Sequence, residues 1–173
     1  MFLMMKMTQV LETVATYVPF LEKFIQPYYR PIVQNEIKLA DIQATDHILC
    51  IGGGPLPVTA IMLHKKTKAH VTMIDCSLKA CLKAKKYIKK NNFNAFITVE
   101  HGCGLSKDLS LFNVVHVAKQ VSPKSKVIDY LLAHSKEHTK IIVRYNQKES
   151  CLCPLKSVCQ KRRWVKNSCL FLK

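Results

Sequence analysis

Residues 46–76 read DHILCIGGGPLPVTAIMLHKKTKAHVTMIDC. A short apolar run, Ile48 to Ile51, meets a turn of glycines, Gly52-Gly53-Gly54. Pro55 and Pro57 follow, and then apolar residues at helical spacing, Val58, Ile61, Met62 and Leu63. A basic turn leads to a second apolar run, Val71 to Ile74, which stops at Asp75. Strand, glycine turn, helix, strand and acid, in that order, make half of a nucleotide-binding α/β sheet. Each part has a chemical task. Glycine lacks a Cβ, so the chain can turn sharply and bring its backbone close to a ligand. The helix behind the turn presents free N–H groups and the positive end of a dipole, which suits a carboxylate or a phosphate. Pro57 fits a first helical turn, where the N–H it lacks would have no partner. An acid closing the second strand can accept both hydroxyls of a ribose. Asp75 stands about 20 residues past the glycines, the usual spacing for that role.

The dinucleotide fingerprint G-x-G-x-x-G needs a third glycine where this chain has Pro57. A G-x-G turn without it, with an acid ending strand two, looks like the class I S-adenosylmethionine (SAM) enzymes. NAD(P) binding is one alternative; a glycine turn that no longer binds anything is another. Gly52, Gly53, Gly54, Pro55, Asp75 and its neighbour Cys76 are therefore the expected SAM-binding residues.

Working outward, 173 residues make one domain with a sizeable core, and a 49% hydrophobic composition makes it globular. The expected organisation is a helical segment over 1–45 and a Rossmann-like domain over 46–173. The most apolar stretch, 47–63, is interrupted by glycines and prolines, so no membrane span is expected. The start, MFLMMKM, is too short for a secretion signal and no small-residue cleavage site follows it. Eight cysteines without such a signal suggest reduced thiols and a cytoplasmic location. A net charge of +16 suits nucleic acid, an acidic partner or a solvated basic surface. Lys79, Lys83, Lys86 and Lys90 fall at helical spacing opposite Leu78, Cys81, Leu82 and Ile88, the pattern of a solvated helix face.

Val10, Val14, Tyr17 and Val18 have helical spacing; Pro19 is expected to break that run, and Leu21, Phe24 and Ile25 to belong to a second helix. Pro27-Tyr28-Tyr29-Arg30-Pro31 is expected to interrupt again, before Ile32 to Leu39 leads into the sheet with Glu36 near its middle. Strands are predicted at about 47–51, 70–75, 95–100, 112–117 and 139–145. Helices are predicted at about 57–66 and 77–91, the latter with Ser77 as N-cap, and from Ser122 or Pro123 onward. His101-Gly102-Cys103-Gly104 is a turn at the C-terminal end of strand three, where ligands sit in open α/β sheets. Many SAM enzymes carry an acid there against the adenine amino group; with Cys103 in its place, the contact falls to backbone. The N/D-P-P-Y motif that often follows strand four in base-amine methyltransferases is replaced by Ala118-Lys119-Gln120. Trp164-Val165 and Cys169 to Leu172 flank Asn167-Ser168, a hairpin turn that would complete a seven-stranded sheet. Cys151-x-Cys153, Cys159 and Cys169 lack the paired spacing of a zinc site, so no metal is expected. No H-E-x-x-H, G-x-S-x-G or P-loop pattern occurs.

Ile51-Gly-Gly-Gly-Pro-Leu-Pro-Val-Thr-Ala-Ile61 is similar to the I-G-S-G-P-L-P-L-T-S-I segment of nicotianamine synthases. Pro27-Tyr28-Tyr29 followed by Asn35-Glu36 resembles that family's F-P-Y-Y…L-E stretch, and Val114-Val115-His116-Val117-Ala118 its V-V-F-L-A. Val143-Arg144 followed by Cys151-Leu152-Cys153-Pro154 resembles its L-R…F-L-Y-P end. The resemblance covers about residues 24–155. It implies a SAM methyltransferase-like fold, and transfer of the aminobutanoyl group of SAM with release of methylthioadenosine. It makes Tyr29, Tyr28 and Glu36 the catalytic candidates, and adds Gly102, Cys103, Val117 and Ala118 to the SAM-binding set. The family carries a long N-terminal helical domain that supplies a glutamate; here about 45 residues precede the sheet, with Glu12, Glu22 and Glu36 as their glutamates. The expected partner is a small-molecule amine, with nucleic acid and a second copy of the chain as further candidates. Two other functions stay open: methyl transfer to a small molecule or RNA, and non-catalytic binding of SAM or nucleic acid.

Overall fold

The computed structural model describes residues 19–145, 162–165 and 168–173. Helix α1 (Pro19–Ala40) precedes β1 (His47–Ile51), α2 (Val58–Thr67), β2 (His70–Asp75), α3 (Leu78–Lys90) and β3 (Ile97–His101). Then come β4 (Val114–Val117), α4 (Lys124–His134), β5 (Lys140–Arg144), β6 (Arg162–Val165) and β7 (Ser168–Leu172). The strands form one sheet of seven in the order β3-β2-β1-β4-β5-β7-β6. The first five are mutually parallel; β7 runs antiparallel to β5 and β6 antiparallel to β7. This is the expected doubly wound, methyltransferase-type sheet, hairpin included. Val165 pairs with Ser168, so Ser168 opens β7 and does not belong to the turn.

Period-two alternation divides the core between the two faces of the sheet. Ile48 and Cys50 of β1 join Val71, Met73, Val114 and Ile142 under α1, α2 and α3. Leu49 and Ile51 join Val115, Val117, Ile141 and Val143 against α4, with Leu109 and Phe112 closing the edge. Because both faces are covered, the central strands read as unbroken apolar runs.

Two local expectations are corrected. Pro27 and Pro31 lie inside one continuous helix and do not interrupt it. Both rings are exposed, so the carbonyls they leave without a donor lie on the solvated side of α1. The inner side, with Val33, Glu36 and Ala40 buried, holds the helix together across them. On α3, Leu78 and Leu82 are 56% and 53% exposed, among the lysines rather than opposite them. The side facing the sheet is Ala80, Cys81, Ala84 and Ile88. Small residues are needed where the helix axis comes close to the strands. The Ser77 cap forms as expected, its Oγ accepting from the Ala80 N–H at 3.2 Å.

β1 is the topological switch point. Its neighbours are β2 and β4, and the chain leaves β1 toward one face and β4 toward the other. A crevice must open above their C-terminal ends, where the glycine turn sits. Gly53 is packed there onto Met73, and an added Cβ would overlap the Met73 Cγ and Sδ. Gly53→Ala should therefore destabilise the protein by about 1–3 kcal/mol in urea unfolding, the usual cost of overpacking. An unchanged midpoint would show that Met73 moves aside freely.

Candidate functional site

The turn after β1 is built on backbone bonds. Gly52 and Gly54 have φ of +80° and +67°, which only glycine adopts without strain. The N–H groups of Gly52 and Gly53 both donate to the Ile74 carbonyl, at 2.9 and 3.4 Å. That of Gly54 donates to Asp75 Oδ2 at 2.9 Å, and that of Ser77 to Asp75 Oδ1 at 2.9 Å. The Asp75 carboxylate is thus clamped from both sides, and each oxygen keeps a lone pair for a further donor. The Gly102 N–H donates to the Asp75 carbonyl at 3.0 Å, which sets the β3 turn beside it. The thiols of Cys76 and Cys103 are exposed on this rim.

Between these turns lies a cavity of about 640 Å³, within the range of small-molecule sites. The first turn of α2 contributes Thr59 and Ala60, whose N–H groups donate to no carbonyl among the described residues. Free N–H groups at a helix start suit a carboxylate.

Beyond them is a charged floor. Arg144, at the end of β5, is 5% exposed and donates from Nε to Glu36 Oε1 at 2.9 Å and from Nη2 to Glu36 Oε2 at 2.5 Å. Its Nη1 donates to Thr59 Oγ1 at 3.2 Å, and the Ser168 hydroxyl donates to Glu36 Oε1 at 2.6 Å. The Tyr29 ring lies over the guanidinium, its centroid 5.5 Å from Cζ. His116 Nε2 is 3.4 Å from Glu36 Oε2 but makes no hydrogen bond. Burial alone would raise the Glu36 pKa, but the Arg144 charge more than offsets it and holds the carboxyl far below its ordinary value of 4.5. Burial would lower that of Arg144, yet the Glu36 charge lifts it instead. For His116 burial wins: its pKa falls, so the ring is neutral and its contact with Glu36 is not an ion pair. Burial likewise pushes the Cys50 thiol up to about 12.

Of the residues singled out in the sequence, Tyr29, Gly52, Gly53, Gly54, Pro55, Asp75, Cys76, Gly102, Cys103 and Ala118 line the cavity. Three stand off it. Tyr28 is 61% exposed, because neighbours on a helix diverge by about 100° and Tyr29 takes the inward position. Glu36 is fully buried beneath the lining and reaches the cavity only through Arg144. Val117 packs into the core against α4, on the face of the sheet opposite to His116. Arg144, His116 and Thr59 line the cavity and were missed as site residues. A lone arginine closing the apolar run KIIVR was the available signal, since a buried cation demands a partner.

Among the described residues no group of three or more His, Cys, Asp and Glu could hold a metal; Cys151, Cys153 and Cys159 lie outside them. No described helix is long and apolar enough to cross a membrane.

Both shifted acid–base groups on the floor make stability fall toward acid. His116 is held neutral when folded and gains a proton when unfolded, so its contribution is lost as the pH drops through the ordinary histidine value of 6.5. Glu36 contributes above its ordinary value of 4.5 and loses that contribution progressively at lower pH. The melting temperature should decline in two stages between pH 7 and pH 3. His116→Phe should remove the upper stage, and a two-stage decline persisting in that variant would locate it elsewhere.

The family model described as "Nicotianamine synthase protein" matches residues 5–164. L-histidine 2-aminobutanoyltransferase of Yersinia pestis is 27% identical over 113 residues, 65% of this chain. The chain spans 42% of that relative's length. MtNAS in complex with MTA and tNA superposes with a TM-score of 0.77 at 21% identity, over 96% of this chain and 68% of that one. An RNA methyltransferase from Salinibacter ruber, in complex with S-adenosyl-L-homocysteine, gives 0.64 at 18% identity, over 82% of this chain and 88% of that one. At such identities the structural likeness establishes the fold. The family match, together with the glycine turn and the crevice it opens, establishes kinship: the chain belongs to the nicotianamine synthase family.

Proposed function

We propose that the chain binds SAM between Gly52–Gly54 and Asp75 and transfers its aminobutanoyl group to a small-molecule amine. One observation carries this reading: the cavity of a nicotianamine synthase family chain runs from a clamped acid, Asp75, to a Tyr29–Arg144 floor. The free lone pairs of Asp75 suit a ribose, and the Thr59 and Ala60 amides suit the carboxylate of SAM. With the nucleoside and the carboxylate so placed, the carbons next to sulfur lie toward Tyr29. The sulfonium of SAM activates those carbons to attack. The chain's residues hold the amine in line with one of them and exclude water. The amine must attack as a free base, and Tyr29 is the residue placed to orient it. The aminobutanoyl transferase of Yersinia pestis and the MTA complex of MtNAS support this choice of group.

A second reading, methyl transfer to RNA, draws on the solvent side of α3. That side carries six lysines and no acid, and two of them, Lys79 and Lys83, reach the cavity.

Product analysis separates the two. Incubation with SAM and a pool of amines should yield methylthioadenosine by mass spectrometry. S-adenosylhomocysteine in its place, formed only with RNA and suppressed by salt, would establish the second reading. Asp75→Ala should weaken SAM binding in calorimetry by about 2–4 kcal/mol, the loss of hydrogen bonds to a charged group. Unchanged affinity in the folded variant would place the ribose elsewhere.

A further inference from the structure

The buried floor of the cavity holds more chemistry than binding requires. Glu36 lies on α1, Arg144 on β5, Ser168 on β7 and Thr59 on α2, and all four meet in one hydrogen-bonded cluster. A pair placed there only to join the helix to the sheet could be wholly covered. Instead the guanidinium lines the cavity, while the carboxylate that anchors it lies behind. The exposed side of the pair is therefore positive, and the ring it faces is that of Tyr29.

We propose that Arg144, gripped by Glu36, is a positioning residue that holds Tyr29 over the reaction end of the cavity and stabilises its phenolate as proton acceptor. The proposal rests on the transfer reading above. As the amine nitrogen bonds to the carbon, the carbon–sulfur bond breaks and its electron pair stays on sulfur, which becomes a neutral thioether. The nitrogen's extra proton passes to the Tyr29 oxygen and then to solvent at the cavity mouth, so charge and atoms balance.

The surroundings of Tyr29 favour Arg144 as the group that tunes it. Ile25, Leu56, Val58, Met62 and Tyr87 make an apolar setting around the ring. Such a setting disfavours a phenolate unless a cation stands close. From α3 the charged groups lining the cavity are Lys79 and Lys83; from β4 comes neutral His116; from β2 comes Asp75 at the opposite, ribose end. Arg144 has its charge centre over the ring, and its bonds to Glu36 and Thr59 keep it there. The Arg144 charge and the Tyr29 phenol also act on one another electrostatically, and a nearby cation moves an acid's ionisation down by about one to three pH units.

The test is a spectroscopic titration near the tyrosinate band. Subtracting the curve of Tyr29→Phe from that of wild type isolates Tyr29. The same subtraction is made in a Glu36→Gln/Arg144→Met background, which removes both buried charges together and so avoids leaving one unpaired. Tyr29 should ionise at least about one pH unit higher in that background. The acid limb of the kcat profile should move the same way, with the KM for SAM within about threefold of wild type, since nucleoside binding rests on Asp75. Should the doubly substituted chain fail to fold, Arg144→Lys keeps a charge on a shorter reach, and should raise the ionisation by less while lowering kcat at neutral pH. An ionisation of Tyr29 that stays in place in a folded variant overturns the proposal. The titration needs no turnover, so its outcome is independent of which nucleoside product appears.

Discussion

The pair between Glu36 and Arg144 is the constraint on which the architecture turns. Two full charges are taken out of water, which costs several kcal/mol per ion before any attraction is counted. The cost is offset only because the geometry is close to complete. The carboxylate accepts from two guanidinium nitrogens and a hydroxyl, and the guanidinium reaches Thr59 as well. Removing either partner would strand the other, a loss of about 3–5 kcal/mol. That requirement reaches into secondary structure. Helix α1 must present Glu36 toward the end of β5, and to do so it runs on through Pro27 and Pro31. A weak helix by propensity is held by the one side chain on it that has no other place to go.

The same pair marks the limit of what the sequence discloses. The five parallel strands and the glycine turn were legible because their signals are local: an apolar run, a turn residue, a helical period and an acid at a set spacing. Asp75 was legible for the same reason, although its clamp by the Gly54 and Ser77 amides adds a structural duty that spacing does not show. Arg144 stands 108 residues from its partner. No period or motif joins them, so the sequence offers Glu36 as a candidate acid and leaves its bond to the Arg144 cation hidden. His116 is hidden by its company, since VVHV reads as a covered apolar strand. The continuity of α1 was misjudged because proline was weighed by local preference, whereas tertiary packing carries the helix.

The solvent side of α3 shows the opposite error. Lys79, Lys83, Lys86 and Lys90 lie where the period puts them, but Leu78 and Leu82 do not. Periodicity assigned the leucines to the core because they are large and apolar. The sheet instead takes Ala80, Cys81, Ala84 and Ile88. Hydrophobic spacing locates a stripe on the helix; the packing of the helix on the sheet decides which residues fill it.

Taken end to end, the cavity divides its labour by the kind of group that does it. The end proposed for the nucleoside is backbone: turns at Gly52–Gly54 and Gly102, and an aspartate whose position is set by two amides. The end proposed for the reaction is all side chain, from four elements joined by one ion pair. Such a division lets one fold keep a single nucleoside while the reaction changes. On the proposed reaction, which of the carbons bound to sulfur is attacked depends on a small displacement of the amine relative to Tyr29. Positioning that selects among neighbouring carbons must be rigid, and a charge-assisted cluster in a dry floor is more rigid than apolar contacts of the same volume. On that reaction, the cost of burying Glu36 and Arg144 falls where an error of an ångström would change the product.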